Sequence, residues 1–193
     1  EFFKHLQVLA QLHDSYILCS NEEGLVIVDQ HAAQERYHYE QLNEKLLVQC
    51  TNKQPLMVPI QLDVSSNVLA QYMTINEKTA FFGIEFEPFG TDQLILREIP
   101  LWFHDVDQKQ FLQDLLDYFV ENQDVDMAKL RKHMIATMAC HSSIRFNRPL
   151  SMQEMEQVIL DLQKCKQPYH CPHGRPTVIV MSDGELRKEF ERG

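Results

Sequence analysis

Apolar and polar positions alternate along residues 6–12 and 15–19, the two-residue period of a half-buried β-strand. Asn21, Glu22, Glu23 and Gly24 then read as a turn, and Leu25-Val26-Ile27-Val28 as a short buried strand. At Asp29 the period changes. Residues 30–48 carry Ala32, Ala33, Glu35, Arg36, Tyr39, Leu42, Leu46 and Leu47, good helix formers, with Asp29 as the N-cap. A strand is predicted over 56–64, with Pro59 marking an edge or a bulge, and a helix over 66–80. Strands at 84–88 and 93–99 flank a turn at 89–92. An amphipathic helix over 108–121 carries Phe111, Leu112, Leu115, Leu116 and Phe119, and another helix covers 126–143. Ser151 and Glu154 form a capping box that opens a helix to about residue 164. A loop follows at 168–176 with three prolines and one glycine, then a β-branched strand at 177–181 and a short helix at 184–192. Runs of strands mixed with runs of helices predict an α+β fold.

The 193 residues suit one domain, or one domain with a lobe inserted into it. No apolar run approaches the roughly 20 residues that span a bilayer, nothing reads as a secretion signal, and the absence of an initiating Met predicts a piece of a longer protein. The formal charge of −10 disfavours a free-standing DNA binder, whose affinity comes mostly from Lys and Arg. Such a domain either avoids nucleic acid or is delivered to it by a partner. Five cysteines, an odd number spread thinly, argue for thiols in a reducing cytoplasm rather than a disulfide framework. Reduced thiols remain free to bind metal.

Three segments carry candidate chemistry. His31 and Glu35 are four apart on the first predicted helix and share a face, with Asp29 at its cap and His38 near the same face. A cation held there competes with a plainer alternative, a solvated helix face with a capping Asp. Cys171 and His173, two apart on a proline-stiffened loop, form a pincer of the thiolate–imidazole kind that suits zinc; Gly174 permits a tight turn and Arg175 adds charge. The alternative is a buried Cys and a surface His in an ordinary turn. Cys140 offers a further thiolate or a small buried side chain, while His141 points about 100° away from it on a helix. His5, His13, His104, His133 and His170 read as ordinary histidines, Trp102 and Phe103 as core, and 105–107 as a solvated helix start.

Taken together, these segments resemble the endonuclease domain of MutL-type mismatch-repair proteins. Asp29, Gln30, His31, Ala32, Glu35 and Glu40 fill every fixed position of that family's DQHA-x2-E-x4-E motif. Ala139-Cys140-His141 resembles its ACH/ACR element, residues 171–176 its CPHGRP element, and Phe190-Glu191-Arg192 its FER-type terminus. The resemblance implies a metal-dependent nicking endonuclease acting by phosphodiester hydrolysis. It also implies ligands at His31, Glu35, Cys140, Cys171 and His173, Asp29 and Glu35 in catalysis, and Gln30, Glu40, His141 and Arg175 in support. Zn2+ is expected in a structural or regulatory role, because thiolate ligands damp its Lewis acidity, with a weaker Mn2+ catalytic beside Asp29.

Gln54, Leu56, Met57, Val58 and Pro59 resemble the family's sliding-clamp-binding motif; alternatively they form an edge strand with its apolar residues in the core. A clamp already on DNA would offset the acidic charge through effective concentration. The family further implies a homodimer, weak DNA contact by the isolated domain, a MutS-type mismatch sensor as partner of the full protein, and a cytoplasmic, nucleoid-associated location. It also implies two lobes: 1–63 with 145–193 for dimerisation and the endonuclease motif, and 64–144 as an external regulatory lobe. Two other functions compete. One is a structural-zinc dimerisation and clamp-docking module without nuclease activity. The other is a zinc hydrolase of a small substrate, which requires a closed pocket and an open zinc position.

Overall fold

A computed structural model describes residues 1–103, 106–142 and 144–192. His104, Asp105 and Ser143, which bear on the expected surface histidine, acidic helix start and fourth-helix end, lie outside the described residues. The fold is α+β, with six helices and two antiparallel sheets among the described residues. The chain forms two compact units, 1–41 with 145–193 and 42–144. Among the described residues no helix is long and apolar enough to cross a membrane.

The first unit is built on a four-stranded sheet in the order β1 (Gln7–Leu12), β2 (Tyr16–Asn21), β3 (Gly24–Asp29) and β7 (Val178–Ser182). Alternation assigns its two faces. Ile17, Cys19, Val26 and Val28 point to one side and are buried. Helix α5 (Met152–Lys164) covers that side with Met155, Val158, Ile159 and Leu162, spaced as one helical stripe. Full burial of each such side chain contributes roughly 1.5–3 kcal/mol. The predicted capping box at Ser151 and Glu154 is formed. Helix α1 (Gln30–Leu46) starts immediately after β3 and adds Ala33 to this core. The closing helix α6 (Asp183–Glu189) begins with a second capping box, Ser182 with Glu185.

The second unit contains a three-stranded sheet in the order β4 (Lys53–Asp63), β6 (Gln93–Pro100) and β5 (Glu87–Phe89), with α2 (Ser66–Thr79), α3 (Gln108–Glu121) and α4 (Met127–His141). Residues 53–63, expected with the chain ends, pair with β6 and fall in this unit. The predicted irregularity is present: β4 is an edge strand, and its register breaks between Pro55 and Ile60. Phe111, Leu112, Leu115 and Leu116 of α3 are buried, as are Leu130, Met134, Ile135 and Met138 of α4. Trp102 and Phe103 are core residues as expected, and the Trp102 indole N–H donates to the Phe82 carbonyl at 2.9 Å.

The strand expected at 84–88 is displaced to Glu87–Phe89. Ile84 and Phe86 are apolar because they enter the core, and the Asn76 side chain takes the place of a neighbouring strand at Phe86. It accepts from the Phe86 N–H and donates to the Phe86 carbonyl, each at 2.8 Å.

Candidate metal centre

The β3-to-α1 junction places the head of the DQHA string. Asp29 ends β3, and its Oδ1 accepts the Ala32 N–H at 3.0 Å, so the carboxylate caps α1 as predicted. Its own N–H donates to the Thr177 carbonyl at 2.9 Å. The turn and a half that follows projects Glu35 toward the 171–175 loop.

That loop is wrapped around Cys171. The Cys171 N–H donates to the Arg175 carbonyl at 2.8 Å, and the Gly174 N–H to the Cys171 carbonyl at 2.9 Å. Gly174 adopts φ +83°, a left-handed conformation that glycine reaches without a Cβ clash. The Arg175 N–H donates to the Cys171 sulfur at 3.4 Å. Cys171 itself is buried.

Glu35, Cys171 and His173 thereby converge. One ligand atom from each lies within 4.8 Å of the others, and His173 Nδ1 is 3.0 Å from Glu35 Oε1. A sulfur, an imidazole nitrogen and a carboxylate oxygen, with an amide N–H already directed at the sulfur, form a donor set that fits Zn2+. Three protein ligands are also the number found where zinc retains an open position.

His31 and Cys140, the other two expected ligands, are not members of this group. His31 is exposed, with its ring 5.3 Å from that of Phe146 in an edge arrangement, and is not part of the three-residue group. Cys140 is exposed near the end of α4, in the second unit. In that unit His141 Nε2 is 2.5 Å from Asp114 Oδ2. Burial opposes ionisation of Asp114, but hydrogen bonds from His141 and Gln110 outweigh it and hold its carboxyl below the ordinary value. All five cysteines are free. Burial pushes the Cys19 thiol up to about 11 and the Cys165 thiol to about 12, the latter helped by the Glu40 charge, which makes both poor thiolate donors.

The supporting residues of the motif are engaged with backbone. Gln30 is buried, and its amide donates to the Phe146 carbonyl at 2.5 Å and the Arg148 carbonyl at 3.0 Å. Glu40 accepts the N–H groups of Lys166 and Gln167. Arg175 contributes its main chain around Cys171, while its side chain is exposed. Three participants escape sequence reasoning: Gln11, Arg36 and Phe146. Arg36 donates to the His170 carbonyl, 134 positions along the chain, and nothing in the local pattern signals that separation.

On edge strand β4, Met57 is fully exposed and Val58 largely so, while Leu56 is half-buried and Gln54 exposed. A groove of about 290 Å³ in the first unit is lined by Tyr37, His38, Phe146 and Arg148 among others, and none of Glu35, Cys171 and His173 contributes to it.

Residues 9–150 match the family described as the MutL C terminal dimerisation domain. The chain belongs to this family. It is 39% identical over 190 residues to the DNA mismatch repair protein MutL of Exiguobacterium sibiricum, covering 98% of this chain and 31% of that protein. It is 38% identical over 187 residues to the MutL protein of Anoxybacillus flavithermus, covering 97% of this chain and 31% of that one. With the MutL protein of Lactococcus lactis subsp. lactis the identity is 35% over 193 residues, covering 98% and 29%. The chain thus spans about three-tenths of the length of the MutL proteins it matches. Membership makes this a MutL C-terminal dimerisation domain, and the candidate metal group lies in the unit that holds the whole of the DQHA motif.

Proposed function

We propose that the chain is a metal-dependent nicking endodeoxyribonuclease and the homodimerisation domain of a mismatch-repair protein, brought to DNA by a sliding clamp. The observation that carries this reading is the convergence of Glu35, Cys171 and His173 at the motif helix. In this reading Glu35, Cys171 and His173 hold Zn2+, and a weaker Mn2+ site lies beside Asp29. When bound, divalent ions supply positive charge against the charge developing on a phosphoryl group and make water easier to deprotonate. Asp29, fixed at the head of α1 by the Ala32 N–H, takes the proton from the attacking water. His31, exposed beside Phe146, faces incoming DNA rather than the zinc. Cytoplasmic work at the nucleoid, with a MutS-type sensor acting on the whole protein, completes the reading.

The homodimer is assigned to the outer face of the four-stranded sheet. On the face opposite α5, Leu18, Ile27 and Ile179 align in one row and Leu25 with Met181 in another. Ile179 is 57% exposed, and Leu12 and Met181 are also exposed, so the sheet presents apolar side chains to solvent. The double substitution Ile179→Asp with Met181→Asp is expected to weaken self-association roughly 100-fold, since central apolar contacts dominate such interfaces. Sedimentation velocity should show monomer where the wild type is dimer. A variant that sediments with the wild-type mass would move the interface elsewhere.

Clamp docking is supported by the exposed Met57 and Val58 on an edge strand whose register is broken, which is available to another protein. It also supplies what the −10 charge denies the chain, a high local DNA concentration. The function is tested with supercoiled plasmid carrying loaded clamp, in Mn2+. Wild type should convert it to open circle, and Asp29→Asn should be slower by about 100-fold or more. A wild type that remains bound to clamp-loaded DNA without nicking it would leave dimerisation and clamp docking as the function.

A further inference from the structure

Within the first unit, two residues of α1 grip the segment that leads into Cys171. Helix α5 ends at Lys164, and the N–H groups of Lys166 and Gln167 donate to the two carboxylate oxygens of Glu40 at 2.7 and 3.1 Å. Three residues on, the His170 carbonyl accepts from Arg36 Nε at 2.7 Å. Arg36 Nη1 lies 3.7 Å from Glu40 Oε1, one helical turn away, and both side chains are largely buried. Arg36 also stands 5.6 Å from the Tyr39 ring centre. The residue after His170 is the metal-site cysteine.

We propose that Arg36 and Glu40 form a clip that sets the geometry of the metal centre by fixing residues 166–170 to the helix that carries Glu35. The inference rests on the reading of Glu35, Cys171 and His173 as a metal site. Glu35 and the clip occupy neighbouring sides of one rigid helix, so α1 acts as a template. It presents one ligand directly and positions the other two through the backbone before them. The rest of the loop is closed independently: the Thr177 N–H donates to the Tyr169 carbonyl at 3.0 Å and the Thr177 hydroxyl to the Pro168 carbonyl. Losing the clip therefore leaves the loop closed on itself and tied at Thr177 to Asp29, but releases residues 166–170 from α1. Neither clip residue offers an atom to the three-residue group. Their effect on metal passes through backbone atoms, as outer partners of metal ligands commonly act.

The chemistry at each position is specific. A carboxylate has two acceptor oxygens for two successive N–H groups, and glutamine retains only one acceptor oxygen. The guanidinium reaches the His170 carbonyl with one donor and turns another toward Glu40; a lysine ammonium lacks that planar fork.

The test is zinc affinity of the 193-residue chain by competition with a chromophoric chelator, together with amide hydrogen exchange at residues 166 and 167. Glu40→Ala and Arg36→Lys are expected to bind zinc about ten-fold or more weakly than wild type, with Glu40→Gln intermediate. Exchange at both amides should speed up in Glu40→Ala, while Glu156→Gln, exposed on α5, changes neither readout. If Glu40→Ala does not fold, Glu40→Gln and Arg36→Lys carry the test. Wild-type affinity in the clip variants, with wild-type zinc binding intact, overturns the clip alone. A wild type that binds no zinc overturns the site reading and the clip with it.

Discussion

Replacing Cys171 by serine is expected to lower zinc affinity by at least about 100-fold, beyond the range typical of losing an outer partner of a ligand. The sulfur is the softest donor in the group and the one around which the loop is folded. It accepts the Arg175 N–H at 3.4 Å, and Gly174 turns the chain to make that contact. A serine hydroxyl does not ionise near neutral pH and leaves only Glu35 and His173 as donors. Elemental mass spectrometry should find zinc in the wild type and almost none in the variant after dialysis against a weak chelator. The structure adds a contrast that the motif alone does not. His31 lies against Phe146 and outside the group of three, so His31→Ala should lose far less zinc than Cys171→Ser. Equal loss in the two variants would bring His31 into the ligand set. Full zinc retention in Cys171→Ser would remove the sulfur from it.

How much of this was legible in the sequence depends on distance along the chain. The α5 stripe of Met155, Val158, Ile159 and Leu162 follows from local spacing, as do the caps at Ser151 and Asp29. The Cys171–His173 pincer is also local, because two residues and a glycine suffice to make it. Convergence of that pincer with Glu35 spans more than 130 positions, and only the resemblance to a known motif predicted it. The same resemblance gave five ligand positions, of which three converge. His31 shares a helical face with Glu35, but that face is wide enough for His31 to meet Phe146 instead. Ile84 and Phe86 misled for a different reason: alternating apolar residues look like a strand even when a side chain, here that of Asn76, pairs with the backbone. The dual use of Glu40 and Arg36 was hidden because backbone partners have no sequence signature.

Gln30 gives the second large effect, and its role differs from that of the metal ligands. It is 0% exposed, and each end of its amide is used. Oε1 accepts from Gln11 Nε2 at 2.6 Å, while Nε2 donates to the carbonyls of Phe146 and Arg148. Gln11 completes the tie by donating to the Arg148 carbonyl at 2.8 Å and accepting the Leu150 N–H at 3.0 Å. Two glutamines thus fasten residues 146–150 to the head of α1, which positions Phe146 beside His31. Gln30→Ala deprives the Phe146 carbonyl of this donor, whereas the Arg148 carbonyl keeps Gln11. An orphaned, part-buried acceptor together with the lost packing of the buried Gln30 side chain predicts a cost of about 2–4 kcal/mol. Gln30→Glu preserves volume but replaces the donor with a carboxylate facing two carbonyl oxygens, so it should cost at least as much near neutral pH. Chemical denaturation at an unchanged m-value measures both variants. In the proposed function, both should also nick more slowly while retaining zinc, since the tie anchors His31's neighbour rather than the ligand loop. Stability within about 0.5 kcal/mol of wild type, the range of an ordinary surface change, would show that the 146–150 segment holds its place without Gln30.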